Sequence, residues 1–170
     1  MRSLNTGKRP MNTSKGLKGF SLIELLIVVT IIGIIAAIAI PNLLAARRAA
    51  NEGSAQSSLR TIHSCELTYQ ATTGLGDYGD LAALDVETLT DNVLGSGTKS
   101  GYSFEVHPSA TGVRPAVFYA TAVPTITTGV GKTGTRRFGI TEDGVIHGDA
   151  TALTAYADEV AIRAAPGIGN

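Results

Sequence analysis

The sequence predicts an α+β protein: a long N-terminal helix, apolar in its first half and amphipathic in its second, packed on a small antiparallel β-sheet. Three observations carry this expectation. From Phe20 to Ile40 an apolar stretch is broken only by Ser21, Glu24 and Thr30. Behind it, Ala55, Leu59, Ile62, Cys65 and Tyr69 recur at spacings of three and four, which draws one stripe along a helix. After Ala71 the chain is rich in Gly, Thr and Ala and carries short alternating runs of strand type.

The first element is long enough to cross a membrane. At ~1.5 Å per residue, residues 20–40 make a helix about 30 Å long, the thickness of a bilayer's hydrocarbon core. Charge then sets its direction. Residues 1–19 hold Arg2, Lys8, Arg9, Lys15 and Lys18 and no acid. Residues 51–170 hold seven bases against thirteen acids, a net charge of −6, although the 170-residue chain as a whole is neutral. A basic flank before the span and an acidic body after it predict a cytoplasmic N-terminus and an external body, an orientation that Arg47 and Arg48 oppose. Pro41 removes one helical hydrogen bond and Gly53 lowers helix propensity, so both are expected bend points. The predicted organisation is a leader over 1–19, a spanning half-helix over 20–41, an amphipathic half over 42–71 and an α/β body over 72–170.

Within the body, Thr72–Asp80 reads as a loop and Leu81–Asn92 as one or two helical turns. Gly95–Gly101 reads as a second loop. Tyr102, Phe104 and Val106 alternate with polar residues, as a half-buried strand does. Ala116–Val123 is a second strand, ended by Pro124. Arg137–Thr141 and Val145–His147 form a hairpin around Asp143-Gly144. The tail after Thr151 has helical stretches and is expected to fray through Ala165–Asn170.

Glu24 is the residue that a plain membrane anchor does not explain. A carboxylate inside a span costs ~3 kcal/mol or more, and its retention points to function. Lys18-Gly19-Phe20-Ser21-Leu22-Ile23-Glu24-Leu25 resembles the processing signature of type IV pilins and the related pseudopilins, and Pro41 extends the match. The resemblance is specific over residues 15–42, weaker to about Ala71, and touches the body only through the hairpin Thr133–Asp149. It implies the pilin fold, cleavage between Gly19 and Phe20 by a prepilin peptidase, and methylation of the new amine on Phe20. It also implies that Glu24 pairs with the amine of a neighbouring subunit during assembly, in a dry bundle where an unpaired carboxylate is costly.

The partners implied are like subunits in a helical filament, the peptidase and methyltransferase, an inner-membrane assembly platform with its motor ATPase, and the lipid bilayer before assembly. The location implied is the bacterial inner membrane, and afterwards an extracellular pilus or a periplasmic pseudopilus. The alternatives are a pseudopilin of a type II secretion system and an uncleaved membrane-anchored binding domain. Many type IV pilins close a C-terminal loop with a disulfide, which Cys65, the single cysteine, cannot do alone; that departure leans toward the pseudopilins.

Catalytic and cofactor signals are weak, and neither catalytic residues nor a cofactor are expected. Gly129–Gly134 and Gly74–Gly79 both satisfy G-x-G-x-x-G, but neither sits between a strand and a following helix, and Ile126 occupies the position where a phosphate loop needs Gly. His63, His107 and His147 lack metal-ligand spacing. Some major pseudopilins bind calcium in a C-terminal loop, for which Asp143, Asp149, Asp158 and Glu159 are the oxygen ligands available; a solvated acidic surface is the preferred account. The acidic body argues against a nucleic-acid site.

Overall fold

A computed structural model describes residues 19–150 and 153–168 of the chain. Helix α1 (Leu22–Ala71) is continuous, with Pro41 inside it. The chain divides into two compact units, Met1–Ala39 and Ile40–Asn170. Of the predicted leader only Gly19 lies among the described residues.

In the first unit every large apolar side chain from Phe20 to Ile38 is exposed, and Ala36 alone is even half-buried. The polar members of this run are satisfied locally. Ser21 precedes α1, Glu24 Oε2 accepts a hydrogen bond from the Ser21 N–H at 2.9 Å, and the Thr30 hydroxyl donates to the Leu26 carbonyl at 2.8 Å. Internal satisfaction is what a helix needs in a medium without water.

In the second unit the amphipathic stripe behaves as its spacing predicts. Ala55, Leu59, Ile62 and Cys65 are buried and share one core with Tyr102, Phe104, Phe118, Phe138 and Ile140, while Tyr69 packs at its margin. The sheet is an antiparallel meander in the order β1 (Thr98–Lys99), β2 (Tyr102–Pro108), β3 (Phe118–Pro124), β4 (Arg137–Thr141), β5 (Ile146–Asp149). Phe104 pairs with Ala122, Ala120 with Ile140, and Ile140 with Ile146, so inward-facing residues stack across the strands. The hairpin turn falls where Asp-Gly placed it: Gly144 takes a φ of +75°, which L side chains rarely adopt, and Asp143 Oδ1 accepts from the Val145 N–H.

Short helices complete the body. α2 (Leu81–Val86) is capped by Asp80, whose side chain accepts from the Ala83 N–H, and α3 (Asn92–Gly95) by Asp91. α4 (Glu159–Ala164) is capped by Asp158 and lies against β4, where Gly139 leaves room for Ile162. A Cβ at Gly139 would stand 2.8 Å from Ile162 Cγ1.

Three expectations need correction. The loop assigned to Gly95–Gly101 contains β1, because Lys99 and Thr98 pair with Tyr102 and Ser103. The strand assigned to Ala116–Val123 begins at Phe118. The tail does not fray through Ile168. Gly167 bridges His147, the Gly148 N–H donates to the Pro166 carbonyl at 3.1 Å and the Ile168 N–H to the Ile146 carbonyl at 2.7 Å. The last described residues thus satisfy the outer edge of β5, an edge that would otherwise present unpaired backbone groups.

Two buried carboxylates frame the stripe. Glu52 accepts from the Thr135 N–H (2.8 Å), the Thr135 hydroxyl (2.7 Å) and Arg136 Nε (3.1 Å). Burial pushes its pKa up, but those hydrogen bonds and the Arg136 charge outweigh this and hold it below the usual value. Glu66 is fully buried; Oε2 accepts from the Gly79 N–H at 3.0 Å and Oε1 has no partner among the described residues. Burial pushes this carboxyl up to about 7, with Asp80 adding to the rise and the Gly79 hydrogen bond opposing it.

Candidate functional site

The candidate site is the start of α1. Gly19 and Phe20 precede the helix in irregular, exposed backbone, with Phe20 87% exposed. Glu24 lies in the first turn, four residues after Phe20 and about 6 Å along the axis. Its bond to the Ser21 N–H is half of a capping box, Ser-x-x-Glu, in which a carboxylate at the third helical position satisfies an otherwise orphaned donor. Sequence reasoning overlooked this partner, although the Ser21-to-Glu24 spacing was its signal. Glu24 is therefore an intrachain cap of α1.

Pro41 lies within α1 without ending it; lacking an N–H, it leaves the Ala37 carbonyl without its usual donor four residues on. Gly53 lies one residue after Glu52, with open space where a side chain would stand. The structure does not gather Gly19, Phe20, Glu24, Pro41 and Gly53 into a pocket. Gly19, Phe20 and Glu24 belong to the first compact unit, and Pro41 and Gly53 to the second.

The remaining sequence candidates have structural employment. Gly74–Gly79 is the turn under which Glu66 is buried. Gly129–Gly134 belongs to the β3–β4 connection, where the Thr133 carbonyl accepts from Asn51 Nδ2 at 2.9 Å. His63 meets the Glu142 carbonyl, His107 stacks on Tyr119, and His147 Nδ1 lies 2.7 Å from the Ala165 carbonyl, so the three rings serve different elements. Cys65 is buried and donates to the Leu89 carbonyl.

Of the calcium candidates, Asp143 and Glu159 both bind Arg163, Asp149 binds Arg137 and the Tyr156 hydroxyl, and Asp158 caps α4. No cluster of three metal-ligating side chains occurs among the described residues. A recess of about 390 Å³ on the outer face of α1 is walled by hydroxyls and Arg60. The Thr61 and Thr68 hydroxyls in it donate to the Ser57 and Ser64 carbonyls of their own helix.

The start of the chain's described part is thus a helix with an exposed apolar first half and a first-turn carboxylate, preceded by an exposed, irregular Gly19-Phe20 junction. The family described as the prokaryotic N-terminal methylation motif matches residues 15–40. Over about a third of its length the chain is similar to type IV pilins. It is 53% identical over 53 residues to the type IV wide pilus major component PilA4 of Thermus thermophilus, covering 31% of this chain and 40% of that protein. It is 42% identical over 52 residues to the type IV major pilin protein PilA of Myxococcus xanthus, covering 31% of this chain and 24% of that protein. The matched stretch thus spans less than half the length of either relative. No solved structure matches the chain. The resemblance read from Gly19 to Leu25 and the α+β architecture are both upheld.

Proposed function

We propose that this protein is a structural subunit of a type IV pilus-like filament. In this reading it is cleaved between Gly19 and Phe20, methylated on Phe20, and polymerised through the first half of α1. One observation carries the proposal: a run of exposed apolar side chains from Phe20 to Ile40, lying within the stretch matched by the methylation motif and carrying a single carboxylate, Glu24. Each large side chain in it gains about 1.5–3 kcal/mol on leaving water, so the segment is stable only in lipid or against other apolar helices. A cleaved, mobile subunit uses both environments in turn. Glu24 then exchanges its Ser21 cap for the charged amine of a neighbour, a stronger, charge-assisted partner available only in a dry bundle.

Mass spectrometry of the native N-terminus tests processing, and a chain that retains residues 1–19 refutes it. Glu24→Gln is expected to be cleaved normally yet to give filaments at less than about a tenth of wild-type yield. A second reading, a pseudopilin of a secretion apparatus, draws on the lone buried Cys65, which leaves the C-terminal region without a disulfide. Surface filaments in the wild type that vanish in a deletion strain favour the pilus.

A further inference from the structure

The arginines divide sharply by location. In the body, Arg114 pairs with Asp77, Arg136 with Glu52, Arg137 with Asp149, and Arg163 with Glu142, Asp143 and Glu159. On α1, Arg47, Arg48 and Arg60 have no carboxylate partner among the described residues. The acids divide as well. Between Thr72 and Asp91 the sequence holds no base at all. Asp77 is taken by Arg114 and Asp91 by Lys99, which leaves Asp80, Asp85 and Glu87 in and around α2 without a cation. Val86, between two of them, is 80% exposed.

We propose that the acidic α2 segment, with Asp80 and Glu87 at its two ends and Asp85 between them, docks on Arg47 and Arg48 of a second copy of this chain, which fixes the axial stagger between the two. The inference rests on the filament reading above and names one of its contacts.

The two patches cannot meet within one chain. α2 is tied to the later part of α1 on both sides: Glu66 accepts from the Gly79 N–H just ahead of it, and Cys65 donates to the Leu89 carbonyl just behind it. From Arg48 to Glu66 is about 18 residues of helix, or roughly 27 Å, several screening lengths at physiological salt. A second copy displaced along the helix by about that distance brings acids to arginines.

Two further facts favour a copy of this chain as the occupant. Residues 51–170 carry a net charge of −6, so copies repel unless their few free cations face free acids. The two patches also differ from one another, so the contact is heterologous, and with an axial displacement at every step it repeats head to tail as an open helix, the geometry of a fibre. Asp80 and Glu87 are exposed, while Asp85 is half-buried against Gly95 and Glu87 also accepts from the Thr73 hydroxyl at 3.2 Å. This neighbour differs from the one that offers its amine to Glu24, since the two contacts demand different displacements.

The test is a charge swap in the full chain, expressed in its native host, with filament yield and membrane-fraction abundance both measured. Arg47→Glu with Arg48→Glu is expected to lower filament yield at least tenfold at unchanged abundance, and Asp85→Lys with Glu87→Lys to do the same. The four substitutions combined are expected to restore at least a third of wild-type yield. Undiminished filaments from either double variant, or no recovery in the combined one, overturn the proposal while leaving the filament reading intact. Loss of the arginine variant from the membrane fraction assigns the pair to lipid phosphates and also overturns it. A wild-type chain that makes no filament refutes the filament reading itself, and this contact with it.

Discussion

Replacing Glu66 by Gln isolates a titration inside the core. The carboxyl is fully buried between α1 and the turn at Gly79, with one oxygen bonded and the other unpartnered. Its pKa is raised to about 7 from an unfolded value of 4.5. An acid with a raised folded pKa binds more protons in the native state than in the unfolded one between those limits. Stability therefore falls as pH rises through that window and levels off above it. At 1.36 kcal/mol per unit the loss amounts to about 3 kcal/mol. Gln keeps an acceptor for the Gly79 N–H and cannot ionise.

The processed chain in detergent micelles, melted at pH 5 and pH 8 and followed by near-UV circular dichroism, provides the assay. At pH 5 the two proteins should melt within a few degrees of one another. At pH 8 Glu66→Gln should be the more stable by about 2–3 kcal/mol, a gap of roughly 10 °C for a body of this size. Parallel melting curves at both pH values would refute the reasoning, because they would mean that water reaches Oε1 and that burial imposes no penalty on the charge.

Glu52 behaves in the opposite sense. With its pKa held below the usual value, the stability it contributes is present above about pH 4.5 and lost as pH falls further. Glu52→Ala should cost about 2–4 kcal/mol at neutral pH, measured by guanidinium unfolding, since it orphans the Thr135 N–H and leaves Arg136 without its acid. Gly139→Ala should push α4 away from β4 and cost about 1–3 kcal/mol, seen as faster proteolytic cleavage within residues 150–168.

Much of this architecture was legible in the sequence because its signals are local. The 21-residue apolar run, the three-and-four spacing from Ala55 to Tyr69, the alternation from Tyr102 to Val106 and the Asp143-Gly144 turn each follow from backbone periodicity or φ preference, and each appears where expected. The resemblance around Gly19, Phe20 and Glu24 was legible for another reason: a linear signature is a contiguous string of residues, which the sequence displays directly. The capping bond between Ser21 and Glu24 was equally local, and its spacing was there to be read.

What the chain could not announce were partners far apart in sequence. Glu52 and Glu66 continue the apolar stripe in register, at three residues before Ala55 and four after Ile62, yet nothing local tells a buried carboxylate from a solvated one. Their burial depends on Thr135 and Gly79, which only the closed fold supplies. The tail from Ala165 to Ile168 looked free because Gly and Pro weaken any local preference, and it is held by backbone bonds to an edge strand that its own residues do not specify. The pairing of every body arginine, against the isolation of Arg47, Arg48 and Arg60, was likewise decided in three dimensions. Periodicity determines which side of an element meets the core; only the packed chain determines which charge meets which.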